Sequence, residues 1–217
     1  MHALIFGPPG SGKGTYGEIL QKKLGIDLIA MGNIFRAIMK ENSDLGRKVK
    51  SYMEAGLLVP DEIVVEVLQD CISGIPEERG FILDGFPRTI AQAEALEKIT
   101  RTDVVLQLVV PDWIIVERLS SRRICKNCGA VYNLRFLKPK ADEVCDKCGG
   151  QLYQRKDDNP QVIKIRLHVY ERETSPLVRY YKMKKVPFIV HRTDSLEVPP
   201  EAVVEYFIAE LNKLNLT

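Results

Sequence analysis

Short apolar runs alternate with stretches of helical periodicity along most of the chain. The apolar runs cover residues 3–6, 27–31, 81–84, 104–110 and 188–191. Between them, apolar side chains recur every three to four residues, as they do over residues 63–72. Nearly continuous apolar strands are typical of a parallel sheet that helices cover on both faces. The pattern therefore predicts an α/β fold built on such a sheet.

Capping and proline signals set the expected ends of several helices. Thr89 follows the loop of residues 85–88 and can cap the next helix with its side chain. Residues 157–160, Asp-Asp-Asn-Pro, are expected to cap a long helix that is interrupted near Pro176. A last amphipathic helix is expected to begin at residues 199–200, which are both proline.

Three arginines are expected on the helix that begins at Pro111. Arg118 and Arg122 are four residues apart, so a helix would place them on one face, and Arg123 follows directly. A solvated basic face is one interpretation of this arrangement. Because the arginines lie just before the cysteine-containing stretch, we favour anion binding.

A glycine-rich stretch follows the first apolar run. Residues 7–15 read Gly-Pro-Pro-Gly-Ser-Gly-Lys-Gly-Thr and satisfy the pattern G-x-x-x-x-G-K between a strand and a helix. Backbone N–H groups in such a loop, together with the helix N-terminus, can surround a phosphate, and Lys13 adds a point charge. The alternative is an ordinary surface turn. Gly14 stands where the general pattern has Ser or Thr, and the hydroxyl comes one residue later, at Thr15.

Four of the five cysteines form two C-x-x-C pairs. Cys125 and Cys128 are separated from Cys145 and Cys148 by 16 residues. This spacing predicts a tetrahedral metal site with four thiolates, which leaves no open position for catalysis and is therefore structural. Free thiols or two disulfides are the alternatives. Zinc is our choice of metal, although iron can take the same ligands.

Composition bounds the class of protein without identifying it. The 217 residues can hold one sizeable core with small inserted lobes, and the formal net charge of +2 gives no argument for nucleic acid. No stretch has the apolar length of a membrane span, and the first strand begins too early for a signal peptide. We therefore expect a cytoplasmic protein without a membrane partner.

Taken together, these motifs resemble the adenylate kinase family, in its long-lid form with a four-cysteine zinc-binding lid. The resemblance covers essentially the whole chain, and its most specific carriers are residues 7–15, the stretch Leu-Asp-Gly-Phe-Pro-Arg-Thr at 83–89 and Arg-Lys-Asp-Asp at 155–158. It implies a three-layer P-loop fold with a parallel five-stranded sheet. It also implies transfer of the γ-phosphoryl group of ATP to AMP, with Mg²⁺, to give two molecules of ADP.

The resemblance also implies a division into three parts. The core P-loop domain would comprise residues 1–29, 60–120 and 159–217. A helical AMP-binding lobe would span residues 30–59, and the lid segment would span residues 121–158. Closure of the two lobes would exclude water from the reaction. We expect zinc to stiffen the lid and to leave the chemical step alone.

Matching positions suggest roles for individual residues. For ATP they are Gly10, Ser11, Gly12, Lys13, Gly14, Thr15, Arg118, Arg122, Val131, Tyr132 and the backbone near Glu197. For AMP they are Met31, Arg36, Leu57, Leu58, Val59, Gly85, Phe86, Pro87, Arg88, Gln92, Arg155 and Arg166. The expected catalytic groups are Lys13, Asp84, Arg88, Arg122, Arg155 and Arg166. Asp84 would order water on Mg²⁺, although a helix cap or an ion pair is its alternative role.

One departure from the family pattern leaves the acceptor base open. Family members often have Thr-Gly-Asp where this chain has Met-Gly-Asn at residues 31–33. Met31 removes a hydroxyl at the position that reads the base, so a UMP or CMP kinase is the nearest alternative.

Alternatives from other classes are a nucleic-acid-binding ATPase with a zinc ribbon and a non-catalytic nucleotide sensor. The balanced charge of the cysteine stretch and its lack of interleaved aromatic residues disfavour the ATPase. The retained Lys13, Arg88 and Arg122 disfavour the sensor. The expected partners are ATP, AMP and ADP, without nucleic acid, and the expected state is a monomer.

Overall fold

The computed structural model describes residues 1–76 and 78–217, which form two β-sheets surrounded by helices. The strands are β1 (His2–Phe6), β2 (Asp27–Ala30), β3 (Phe81–Asp84), β4 (Val104–Val109), β5 (Arg122–Cys125), β6 (Val131–Asn133), β7 (Leu152–Tyr153) and β8 (Phe188–Arg192). The larger sheet has five parallel strands in the order β2-β3-β1-β4-β8. The predicted parallel five-stranded sheet is therefore confirmed.

The helices follow the strands in alternation over most of the chain. They are α1 (Lys13–Leu24), α2 (Met31–Ile38), α3 (Asp44–Glu54), α4 (Asp61–Ser73), α5 (Ile90–Ile99), α6 (Asp112–Ser120), α7 (Pro160–Val169), α8 (Pro176–Met183) and α9 (Pro200–Lys213). A short 3₁₀ turn covers Lys156–Asp158, and a π-helical turn covers Tyr170–Thr174 between α7 and α8. None of the helices in the described part of the chain has the length and apolarity that a membrane crossing requires.

Alternate side chains of the central strands feed two separate cores. Ala3 and Ile5 of β1 pack with residues of α1, α6 and α9 on one face of the sheet. Leu4 and Phe6 pack with residues of α4, α5 and α8 on the opposite face. The period of two along β1 thus produces the expected three layers, helix on sheet on helix.

The parallel register brings the chemically interesting loops to one edge of the sheet. Ile5 of β1 pairs with Asp84 at the end of β3, and Phe6 pairs with Gln107 of β4. The glycine-rich loop begins directly after Phe6. Because parallel strands end at the same edge, this loop and Asp84 lie side by side, where open α/β sheets bind their ligands.

Two sequence-based expectations about boundaries are wrong. β2 ends at Ala30, so Met31 is the first residue of α2 and not the last residue of a strand. More importantly, α6 ends at Ser120, and Arg122 opens β5. Arg118 and Arg122 therefore do not share a helix face. Antiparallel pairing of Arg122 with Asn133 of β6 overrides the helical spacing.

The smaller sheet has the order β6-β5-β7 and carries the cysteines. Its buried cluster consists of Cys125, Tyr132, Cys145 and Leu152, with Ala130 packed against them. A core of this size is too small to hold a separate unit together without a further cross-link.

Candidate functional site

The glycine-rich loop presents backbone donors at the start of α1. Gly10 and Gly12 have φ values of 80° and 102°, in the left-handed region that favours glycine. Gly12 is also the N-cap residue of α1, and no side chain caps the helix there. The first N–H groups of α1 are thus left for a ligand, and the positive end of the helix dipole favours an anion.

Lys13 folds back over this loop. Its ammonium group donates to the carbonyl oxygens of Gly7 at 2.6 Å and Pro8 at 2.9 Å. Burial lowers the pKa of Lys13 to about 8, and nearby arginines add to the effect, while Asp84 opposes it. Asp84 lies close to the glycine-rich loop: a Cβ atom added at Gly14 would be 3.5 Å from the Oδ2 atom of Asp84. Lys13 is thus held by weak acceptors that a phosphate can replace.

Ser11 contributes two further polar groups to the loop, its side-chain hydroxyl and its backbone carbonyl. Ser11 is fully buried, and its hydroxyl has no hydrogen-bond partner among the described residues. The backbone carbonyl of Ser11 accepts from Nη1 of Arg118 at 3.4 Å. Arg118 therefore lies beside the loop, on the side of the smaller sheet.

The loop after β3 fixes the backbone and side chain of Arg88. The N–H of Arg88 donates to Oε1 of Gln92 at 2.7 Å, and its Nε donates to the carbonyl of Gly85 at 2.9 Å. Burial lowers the pKa of Arg88, with Asp84 opposing. Among the described residues, the two terminal nitrogens of the guanidinium have no hydrogen-bond partner, so they can form the two-pronged contact that suits a phosphate.

The side-chain amide of Gln92 is buried and forms hydrogen bonds within the protein. Its Nε2 donates to Oδ1 of Asp61 at 2.7 Å, while Oδ2 of Asp61 accepts from the Thr89 hydroxyl at 2.9 Å. Thr89 caps α5 as predicted, because its hydroxyl accepts from the N–H of Gln92. Asp61 thus fixes the orientation of the Gln92 amide. This role of Asp61 could not be predicted from the sequence, which shows only that Asp61 lies at the start of a helix.

Arginines from the smaller sheet and from α7 meet at a buried carboxylate. Arg122 makes a two-pronged ion pair with the fully buried Asp158, at 2.8 Å from Nε and 2.6 Å from Nη2. Arg166 contacts the same carboxylate at 3.3 Å and Asp157 at 2.9 Å. The stretch of residues 157–160 caps α7 as predicted, and its N-cap residue is Asn159. The sequence predicted no ion pair for Asp157 or Asp158, which the cap at Asn159 leaves for the arginines.

Two further arginines, Arg155 and Arg36, lie near this cluster, and neighbouring carboxylates offset their positive charge less completely. Burial, reinforced by Arg122, lowers the pKa of Arg155 to about 10, and its Nε is buried without a partner among the described residues. Burial, reinforced by Arg155, lowers the pKa of Arg36 to about 9. Both arginines remain charged at neutral pH. Arginines that repel one another at close range are expected in a site that binds a polyanion, because the anion offsets the repulsion.

The remaining positions predicted for the monophosphate differ in exposure. Met31 is 1% exposed and packs in the second core, so its side chain lies among apolar residues. Leu57 is exposed, Leu58 is half-buried and Val59 is buried. Phe86 and Pro87, in the same loop as Arg88, are buried.

The residues predicted for the ATP base differ in exposure. Val131 and Glu197 are exposed. Tyr132 is buried, and its hydroxyl lies 3.4 Å from Sγ of Cys145 and accepts from the N–H of Asp146. Its side chain therefore belongs to the cysteine cluster, which leaves only its backbone for a nucleotide.

The four cysteines form a compact ligand set. All four Sγ atoms lie within 4.8 Å of one another. A tetrahedral zinc–thiolate site needs an edge of about 3.8 Å between sulfurs, given Zn–S bonds of about 2.3 Å. The hydrogen bond from Tyr132 lowers the pKa of Cys145 to about 6, which favours the thiolate that a metal requires. The donor set thus fits a divalent metal.

Replacing Asp158 with asparagine should destabilise the protein by about 3–5 kcal/mol, because it leaves the charge of Arg122 buried beside an amide. Urea unfolding would measure the loss. Asp157→Asn is the matched control, since among the described residues Asp157 forms an ion pair only with Arg166 and keeps some exposure. If both variants lose the same free energy of unfolding, the ion pairs of Asp158 are no more important for stability than that of Asp157, which would contradict this prediction.

Comparison with known proteins gives a consistent result. A family model described as adenylate kinase matches residues 5–186. The adenylate kinase of Caldicellulosiruptor bescii is 48% identical over 201 residues, which cover 90% of this chain and 94% of that protein. The adenylate kinase of Archaeoglobus fulgidus is 44% identical over 202 residues, covering 91% and 93%. That of Carboxydothermus hydrogenoformans is 48% identical over 203 residues, covering 91% and 94%. The matched range includes the glycine-rich loop, the arginines and the four cysteines.

Proposed function

The chain belongs to the adenylate kinase family, and from that membership we propose how its residues move the γ-phosphoryl group of ATP to AMP. The proposal rests on the convergence of charge at Lys13. Asp84, Arg88, Arg166 and Arg122 all lie near enough to influence its pKa, so three arginines and one carboxylate converge on the glycine-rich loop. Phosphoryl transfer needs positioned positive charge far more than covalent chemistry.

On the ATP side, residues 10–15 would surround the phosphates with N–H groups and with the ammonium of Lys13. The hydrogen bonds of Lys13 to Gly7 and Pro8 would be exchanged for phosphate oxygens. Arg118 is supported as the next contact by its place beside Ser11. Arg122 would reach the phosphates from β5. The base would lie along the backbone of residues 131–132 and near Glu197.

On the AMP side, Arg88 would bind the acceptor phosphate with its two free nitrogens. The remaining negative charge of the AMP phosphate would be offset by Arg36, Arg155 and Arg166. The backbone of residues 57–59 and 85–87 would lie along the nucleoside, with Met31 beneath it in the core. Gln92 would take part through the one N–H and one lone pair that Asp61 and Arg88 leave free.

In the reaction, an oxygen of the AMP phosphate forms a bond to the γ-phosphorus while the bond to the β–γ bridging oxygen breaks. The acceptor oxygen is already anionic near neutral pH, so no side chain has to remove a proton. Lys13 and the arginines would stabilise charge on the transferred group and on the leaving ADP. Mg²⁺ that enters with ATP would neutralise part of the phosphate charge, and Asp84 would hold its water.

The cysteines are proposed to hold zinc as a structural ion within the lid segment. Four thiols whose sulfur atoms lie within 4.8 Å of one another suit that metal. We propose the same division as above, with a core of residues 1–29, 60–120 and 159–217 and an AMP lobe of residues 30–59. We further propose a cytosolic monomer that acts on free nucleotides.

The two sides of the cleft can be separated by a pair of matched substitutions. Arg88→Lys should weaken AMP binding by about 10–100-fold, because lysine does not make the two-pronged contact, and should change ATP binding by less than about threefold. Arg118→Lys should do the reverse. Calorimetric titration of each variant with each nucleotide measures both constants. Loss of both nucleotides in both variants would contradict the assignment of sides.

A further inference from the structure

A π-helical turn interrupts the long helix at Tyr170–Thr174, between α7 and α8. The N–H of Ser175 donates to the carbonyl of Tyr170 at 2.8 Å, one residue farther back than in an α-helix. Pro176 explains the interruption, because a proline inside a continuous helix clashes with the carbonyl four residues earlier. Wider turns of this kind change the direction in which the following side chains point, and they are common at functional sites.

This turn brings the Thr174 hydroxyl to the loop after β3. Oγ1 of Thr174 donates to the carbonyl of Arg88 at 2.9 Å, across 86 residues of sequence. A π-helical turn contains one residue more than an α-helical turn. In a regular α-helix the Thr174 side chain would therefore be rotated about the helix axis by about 100°, away from Arg88. The contact therefore depends on the π-helical turn.

With this contact, the protein engages every polar group of Arg88 except the end of its side chain. Gln92 accepts from the N–H, Thr174 donates to the carbonyl, and the Gly85 carbonyl accepts from Nε. Arg88 is half-buried in the cleft, so a lost partner is not freely replaced by bulk water. Within the part of the chain that the structure describes, only the two terminal nitrogens remain for a ligand, and their direction follows from the three fixed contacts.

We propose that Thr174 is a positioning residue, which the π-helical turn places so that Arg88 points at the acceptor phosphate. The inference rests on the proposed role of Arg88. Without the hydroxyl, the carbonyl of Arg88 lacks its donor and the loop of residues 85–88 relaxes. Small displacements of a positioning group are costly, since transfer requires reacting atoms held close to their final geometry.

Three variants at one position test the role of the hydroxyl. Thr174→Val keeps the shape and removes the donor, and we expect KM for AMP to rise about fivefold to tenfold while KM for ATP changes less than about twofold. Thr174→Ser keeps the donor and should restore values near those of the unchanged protein. Thr174→Ala repeats the loss if valine does not fit. Ser175→Ala is the matched control, because the Ser175 hydroxyl donates within the same turn to Glu171.

A double substitution separates this role from a purely structural one. In an Arg88→Lys background, Thr174→Val should change KM for AMP by less than about twofold, because the group it positions is already lost. The inference is overturned if Thr174→Val affects ATP and AMP equally, or if Thr174→Ser does not rescue. If Arg88→Lys itself leaves AMP kinetics unchanged, the proposed role of Arg88 fails and this inference falls with it.

Discussion

Replacing Lys13 with methionine is expected to lower kcat by about 10²–10³-fold while the protein stays folded. The ammonium group is the one cation inside the glycine-rich loop, where charge on the transferred group would develop, and removal of one such stabilising group typically has an effect of this size. Methionine has a similar length and fills the same space. Steady-state rates of ADP formation would measure the loss, and circular dichroism would confirm the fold.

Lys22→Met is the matched control for this variant. Lys22 lies in the last turn of the same helix and is exposed, so its loss should change kcat by less than about twofold. If Lys13→Met keeps most of its activity, the loop binds phosphate without the lysine charge and the proposed mechanism is wrong.

The lowered pKa of Lys13 adds a pH signature to the same prediction. With a pKa of about 8 in the free protein, Lys13 is protonated below pH 8 and loses its charge as pH rises through that value. Since kcat/KM reports the free enzyme, kcat/KM for ATP should fall above about pH 8. In Lys13→Arg the guanidinium keeps its proton to a higher pH than the ammonium does, so the fall should move to higher pH. An identical fall in both proteins would assign it to another group.

Removing the metal is expected to unfold the lid segment, residues 121–158, and to leave the five-stranded sheet folded. The buried cluster of this segment is small, whereas structural zinc contributes about 10–16 kcal/mol of apparent binding free energy in small domains. Cys145→Ser, or a chelator, should therefore make the segment sensitive to limited proteolysis. Turnover should fall in parallel, because Arg122 and Arg155 belong to the same segment.

Cys71→Ser provides the control, since Cys71 lies outside the cluster and packs partly buried in the second core. Its metal content, measured by elemental analysis, should match that of the unchanged protein. Loss of turnover on metal removal while the segment still resists proteolysis would contradict a structural role for the metal.

The sequence predicts well those features that local chemistry determines. Strand periodicity identifies the five-stranded sheet, and the Thr89 cap follows from a hydroxyl three residues before a helical N–H. The cysteine spacing predicts a cluster that the structure brings together. Each of these signals lies within a short stretch of chain.

Features that depend on distant partners are harder to predict. Arg122 lies on a strand because Asn133 pairs with it, although its spacing from Arg118 suits a helix. Asp158 serves two arginines, one of them 36 residues away, and not the helix N-terminus. Thr174 reaches Arg88 only because a π-helical turn redirects it. For Arg122 and Asp158, tertiary contacts override the local pattern.

The most direct test of the account is the stoichiometry of nucleotide conversion by the unmodified protein. With MgATP and AMP, we predict two molecules of ADP for each AMP consumed, no release of free phosphate without AMP, and faster transfer to AMP than to UMP or CMP. Release of phosphate from ATP at the same rate with or without AMP would contradict the account. So would faster transfer to a pyrimidine monophosphate, because the cleft would then serve a different acceptor.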